Sequence, residues 1–227
     1  MRNEDDTLWK MTAAEQAAAV RRADISAVEL IDSHLGRIAE VNPQVNAVTQ
    51  LMAERAREAA ERTDRRRAAG EPMGPLAGVP FTVKESTAVA GVPTTFGTER
   101  FRDLVAEADA PPVARLRAAG AIPIGHSNMP TLILAGMHTR SELFGDTANP
   151  WDGTRTPGGT SGGDAVAVSK EGKIPLWNSG RAGYPGRGPA PEALRNASGP
   201  LRCHQRDVRR GAGPCHLTTT RWPSGNG

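Results

Sequence analysis

Lys84 stands near the end of GVPFTVKE (78–85), a short β-branched run bounded by glycine and proline that reads as a buried strand. Such a lysine has two uses. Its stem can pack on the strand while the ammonium reaches water, or burial can push its pKa down until the amine serves as a base. Both readings stay open at this one position. The second stretch is TPGGTSGG (156–163), where Gly158, Gly159, Gly162 and Gly163 bracket the hydroxyls of Thr160 and Ser161. Glycines there permit positive φ and close approach to a ligand. A helix starting at Asp164 would hold the hydroxyls in positive potential, where developing negative charge is stabilised. A phosphate loop does not fit, because no Gly-Lys-Ser/Thr follows. A flexible linker does not fit between a strand-rich body and a helix.

The elements that must position these groups have clear local punctuation. Thr12 with Glu15, and Ser26 with Glu29, are spaced as capping boxes, so two helices begin there. Val28, Ile31, Leu35 and Ile38 mark one apolar face of the second, which is expected to stop at Asn42-Pro43. Residues 45–51 read as a short strand and 52–69 as an Ala-, Glu- and Arg-rich helix ended by Gly70. A helix over 112–119, capped by Gly120, precedes a strand at 121–125. A helix over 164–170 and a strand at 173–176 complete the pattern. This alternation predicts an α/β layered fold.

Several separate stretches, in order, resemble the amidase signature family of amide hydrolases, which includes the glutaminase subunit of the Glu-tRNA(Gln) amidotransferase. They are DISAVELIDSHLGRIAEVNPQVNAV (24–48), GPLAGVPFTVKESTAVAGVPTTFGTERF (74–101), AIPIGHSNMP (121–130), SELFGDTANPWDGTRTPGGTSGG (141–163) and KIPL (173–176). The resemblance implies a mixed central sheet flanked by helices, and hydrolysis of carboxylic amide C–N bonds without metal or organic cofactor. It also implies a Ser-cisSer-Lys triad, in which a neutral lysine takes a proton from a serine after a cis peptide bond. That serine relays it to a nucleophilic serine, and an acyl-enzyme forms and is hydrolysed. Lys84 matches the lysine, Thr160 the relay serine, and Ser161 the serine that supports the network. Threonine keeps the relay hydroxyl, but its methyl restricts χ1. The imidazoles of His126 and His138 are expected to be structural or exposed. Asn128 and Met129 are not expected to be ligands.

The resemblance places the nucleophile about two dozen residues after the relay serine, in a Gly-Gly-Ser-Ile-Arg-like segment that also supplies oxyanion-hole N–H groups. This chain reads SGRAGYPGRGPA there, with Tyr184 where the serine belongs. Ser179 is too early and Ser198 has the wrong neighbours. The expectation is an incomplete triad and an inactive chain.

Composition changes where the resemblance stops, which divides the chain into an N-terminal part of an amidase domain (1–176) and a tail (177–227). The tail holds eight Arg, no Lys and two acids, Glu192 and Asp207, with nine Gly, six Pro and no Ile or Phe. It therefore carries the positive charge behind the net +3, over a body that is net negative. Such a composition is what an out-of-frame reading of a GC-rich gene produces. Shifted by one base with permissible codons, ALRNASGPLRCHQRDV (193–208) can read as Cys-Gly-Thr, four intervening residues, then Ser-Gly-Val-Ile-Ser-Gly-Met, which resembles the family's segment beyond the nucleophile. The tail is thus read as unfolded and frameshifted, and the fold as truncated. An alternative is a non-catalytic fragment whose basic tail binds nucleic acid or an acidic partner.

The remaining features bound the function class. Aromatic residues make up 4% of the 227-residue chain, a lean supply for a compact core. Cys203 and Cys215, beside His204 and His216, lack the spacing of a zinc site and read as incidental thiols. The first ten residues hold no apolar signal region and no run reaches a membrane span. A cytoplasmic location is the default. Expected partners are a small-molecule amide in intact relatives and an amidotransferase-type subunit, with no membrane, and nucleic acid only under the alternative of a binding tail.

Overall fold

The computed structural model describes residues 8–169 and the two-residue strand at 177–178. Both capping boxes form. Helix α1 (Ala13–Arg22) starts with Thr12 N donating to Glu15 Oε2 at 2.7 Å, and α2 (Ala27–Val45) with Ser26 N donating to Glu29 Oε2 at 2.7 Å. On α2, Ile31, Leu35 and Ile38 are buried as the apolar spacing requires, with Leu30 beside them, while Val28 is only partly buried. The helix does not stop at Asn42-Pro43. Pro43 sits in its last turn on an exposed face, where the missing donor costs the exposed Ala39 one internal bond. The chain instead leaves the helix at Asn46, in the left-handed region with φ 48°, and its N–H donates to Asn42 O at 2.7 Å. The Asn42 carboxamide then accepts the N–H groups of Ala47 and Val48, both at 2.9 Å, and so starts the next strand.

That strand is β1 (Val48–Leu51), followed by α3 (Ala53–Ala68), β2 (Pro80–Lys84), α4 (Pro111–Ala118) and β3 (Ile122–Ser127). A two-stranded hairpin, β4 (Arg140–Ser141) with β5 (Gly145–Asp146), precedes α5 (Gly162–Val168) and β6 (Trp177–Asn178). The sheet is mixed, in the order β1-β3-β2-β6: β1 runs antiparallel to β3, and β2 lies parallel to both β3 and β6. β3 runs two residues past the expected Gly125, because its final residues continue the parallel ladder with β2, Ser127 opposite Lys84.

The last described strand follows the segment where a strand is expected. Pairing on the far edge of β2 falls at Phe81–Trp177 and Thr82–Asn178. These residues lie inside the segment assigned to the tail. The strand expected at 173–176 and the tail from 179 onward, with Tyr184, both cysteines and most of the arginines, lie outside the described residues.

Two apolar clusters sandwich the sheet. Ile122 and Ile124 of β3 pack with Leu30, Ile31 and Val166 from α2 and α5. Val79, Phe81 and Val83, on and just before β2, pack with Val113 and Leu116 of α4. Fully burying each such side chain stabilises the fold by about 1.5–3 kcal/mol. The cost of a polar slip into these layers keeps β2 and β3 in one register, and both strand ends therefore arrive at the same edge.

Candidate active site

Parallel pairing places Lys84 and Ser127 side by side at the C-terminal ends of β2 and β3. Along β2 successive side chains alternate between faces. Lys84 reaches the Thr156–Ser161 loop, where its Nζ donates to Thr160 Oγ1 at 2.7 Å and to Ser161 Oγ at 3.0 Å. All three residues matched to the triad and its supporting serine thus meet at one point. Burial pulls the Lys84 amine below the ordinary lysine value, and the nearby Asp164 carboxylate opposes that pull. Ser161 occupies the N-cap position of α5 but makes no capping bond. Its hydroxyl accepts from Lys84 instead.

Of the loop glycines, one takes the positive φ expected of it. Gly158 adopts φ 99°, which L-residues avoid. The other three are packed against protein backbone and side chains. A Cβ on Gly159 would lie 2.7 Å from Met137 Cα, one on Gly162 would overlap Thr139 Oγ1, and one on Gly163 would overlap Asn128 O. Absent side chains let the loop lie flat on the β3 end and the 137–139 segment, and Thr139 Oγ1 donates to Gly158 O at 2.6 Å. Every peptide bond among the described residues is trans, including the one before Thr160. The cis bond implied there by the resemblance is therefore not present; a non-proline cis bond costs about 2.5–4 kcal/mol.

Two residues that carry the loop were not singled out from sequence. Asp164, in the first turn of α5, is 3% exposed and accepts a hydrogen bond from the fully buried Ser127 Oγ. Asn128 follows in chain order: its Nδ2 donates to Gly145 O and Thr147 Oγ1, and its Oδ1 accepts from Ser141 Oγ, each at 3.0 Å. It joins the β3 end to the β4–β5 hairpin.

Glu85, next in chain to Lys84, points to the opposite face and is fully buried. Its Oε1 accepts from Thr95 N at 2.8 Å and Thr95 Oγ1 at 2.5 Å, and its carboxylate accepts from Gln50 Nε2 at 3.0 Å. The His126 Nδ1 lies 2.9 Å from Glu85 Oε2, also fully buried. His126 is therefore structural, and the partly exposed His138 accepts Arg140 N at 3.2 Å. Among the described residues no group of three or more His, Cys, Asp or Glu could hold a metal ion, and no helix is long and apolar enough to cross a membrane.

A family model described as Amidase matches residues 29–174. A glutamyl-tRNA(Gln) amidotransferase subunit from Salinispora tropica is 45% identical over 162 residues, 71% of this chain and 33% of its own length. Indoleacetamide hydrolase of Bradyrhizobium diazoefficiens is 36% identical over 89% of this chain and 44% of its own length. A solved bacterial aryl acylamidase of the amidase signature enzymes superposes with a TM-score of 0.65 at 33% identity, covering 70% of this chain and 33% of its own. The chain thus spans about a third of the length of the first of these relatives.

Proposed function

Because the chain belongs to the amidase family, we propose that Lys84, Thr160 and Ser161 form the proton-handling half of an amide-hydrolysing site. The observation that carries this is the 2.7 Å contact between Lys84 Nζ and Thr160 Oγ1. With the amine neutral, the same contact runs in reverse: Thr160 Oγ1–H donates to Nζ and passes its proton there, forming the ammonium, as Oγ1 takes the proton of a nucleophilic hydroxyl. Desolvation of Lys84 favours the neutral amine that this step needs. Ser161 Oγ, 3.0 Å from the same nitrogen, fixes the direction of the amine. The substrate class is a carboxylic amide, as the relatives' activities suggest: indoleacetamide is the substrate named for one of them.

The nucleophile is the part this chain does not supply. Tyr184 stands at the corresponding position, outside the described residues, and no serine there has matching neighbours. One oxyanion-hole donor alone is worth roughly 3–4 kcal/mol of transition-state stabilisation, so the loss of nucleophile and oxyanion hole together removes turnover. We infer a frameshifted origin for this segment from its composition, although the match to indoleacetamide hydrolase, over 89% of the chain, runs past residue 176. Sequencing the gene tests that directly, and a gene in which no single-base change upstream of residue 193 restores a family-like continuation refutes it.

The purified chain is assayed for ammonia release from indoleacetamide and other primary carboxamides, and for labelling by a fluorophosphonate probe. The expected result is neither turnover above background nor label. Label that disappears in Thr160→Ala or Ser161→Ala would show instead that this chain carries an active hydroxyl nucleophile of its own.

A further inference from the structure

None of the roles implied for Lys84, Thr160 and Ser161 extends to the buried pair that lies beneath them, Ser127 and Asp164. Ser127 is the ladder partner of Lys84, and Asp164 follows Ser161 by three residues on the same helical turn, where Ala165 N donates to Ser161 O at 3.0 Å. The Ser127–Asp164 hydrogen bond therefore ties the strand edge that carries the amine to the helix that carries the hydroxyls. A carboxylate buried to 3% exposure needs such a partner, since burying it without one is costly.

We propose that Asp164 is a positioning residue of this site. Its carboxylate, held by Ser127 Oγ, locks the Thr160–Ser161 pair onto the strand end and serves as the counter-charge that keeps Lys84 aimed at both hydroxyls. Among the described residues, the groups around Lys84 leave this role to Asp164. On β2, Glu85 faces the other side and is occupied by Thr95, Gln50 and His126. On β3, His126 shares that opposite face. The loop 156–161 is uncharged, and β6 brings no titratable residue. The opposing effects on Lys84, desolvation lowering and Asp164 raising its pKa, agree with this placement. Ser127, the ladder partner of Lys84, thus holds the Asp164 carboxylate on the face that carries the amine.

The consequence for catalysis rests on the reading of Lys84 as the base, whereas the coupling itself is measured without it. Competitive acylation of the full chain with isotopically distinct acetic anhydrides, read by mass spectrometry across pH, gives the midpoint for Lys84. Asp164→Asn and Asp164→Ser both remove the charge while keeping a partner for Ser127, and each is expected to lower that midpoint. A drop of half a unit to one unit corresponds to roughly three- to tenfold more free amine at a fixed pH below the midpoint. An unchanged or raised midpoint in a folded variant overturns the proposal. Coupling is reciprocal, so Lys84→Gln, at a half-buried position, is expected to raise the carboxyl midpoint of Asp164 followed by carbon NMR. No shift there overturns the proposal even if both Asp164 variants fail to fold. An ordinary midpoint for Lys84 in the unaltered chain removes the base reading and leaves the coupling to be decided by these shifts.

Discussion

Lys84 and Ser127 are opposite one another in the β2–β3 ladder, and both side chains end on the same short segment, Lys84 on Thr160 and Ser161, Ser127 on Asp164. The hydroxyl loop is thereby fastened to the sheet at two adjacent points. One contact is half-buried and can exchange a proton; the other is buried and fixes position.

The fastening requires glycine at 163. In Gly163→Ala the new Cβ would overlap Asn128 O and lie 2.6 Å from Asn128 N, both backbone atoms that cannot turn away. The expected loss is about 1–3 kcal/mol of stability, the usual cost of overpacking, read as a lowered denaturation midpoint. Lys84 should also become more accessible to acylation as the loop lifts. Gly153→Ala, where nothing lies within 4 Å of the new carbon, serves as the control and should change neither.

Glu85 is expected to resist its nearest isostere. Glu85→Gln offers an amide N–H₂ where Thr95 N, Thr95 Oγ1 and Gln50 Nε2 all donate, so at least one buried donor loses its acceptor. Chemical denaturation should show a loss of about 1–3 kcal/mol. A neutral outcome would mean that the carboxylate is not the hub of that cluster.

His34 gives the protein an acid limb of its own. The ring is 1% exposed on α2 beside Gln16 Nε2 at 3.0 Å, and burial pushes its pKa down to about 3. In the unfolded chain the ring protonates near pH 6.5, as free histidine does, while the native ring stays neutral. The unfolded state then binds more protons, so stability is fully present above about pH 6.5 and falls by up to about 1.4 kcal/mol per pH unit below it, towards pH 3. His34→Gln should flatten the curve between pH 6.5 and 5, above the range where carboxylates titrate. An equally steep slope in the variant would assign the acid limb to other groups.

What the sequence discloses here follows from how local the signal is. Both capping boxes, the apolar face of α2 and the delivery of Lys84 at a strand end depend on residues within a few positions, and each is legible. Pro43 misleads because a proline in the last turn on an exposed face does little harm, and a local rule cannot see that exposure. The two extra residues of β3 are set by the neighbouring strand, not by their own types. The triad match is legible through the resemblance of motifs. Asp164 is not, since its partner Ser127 lies 37 positions away and only the fold joins them. The three packed glycines likewise look like a ligand loop in sequence, whereas their neighbours are Met137, Thr139 and Asn128.

The most direct test of Lys84 as the base of this site is the pH profile of its acylation in the unaltered full-length chain, measured against the exposed Lys10 as internal reference. The expected midpoint for Lys84 lies below the ordinary lysine value, in the direction that burial dictates, and the profile should change in Thr160→Val, which deletes the hydroxyl at nearly constant volume. A Lys84 midpoint at or above that of Lys10, unaffected by Thr160→Val, would contradict that role.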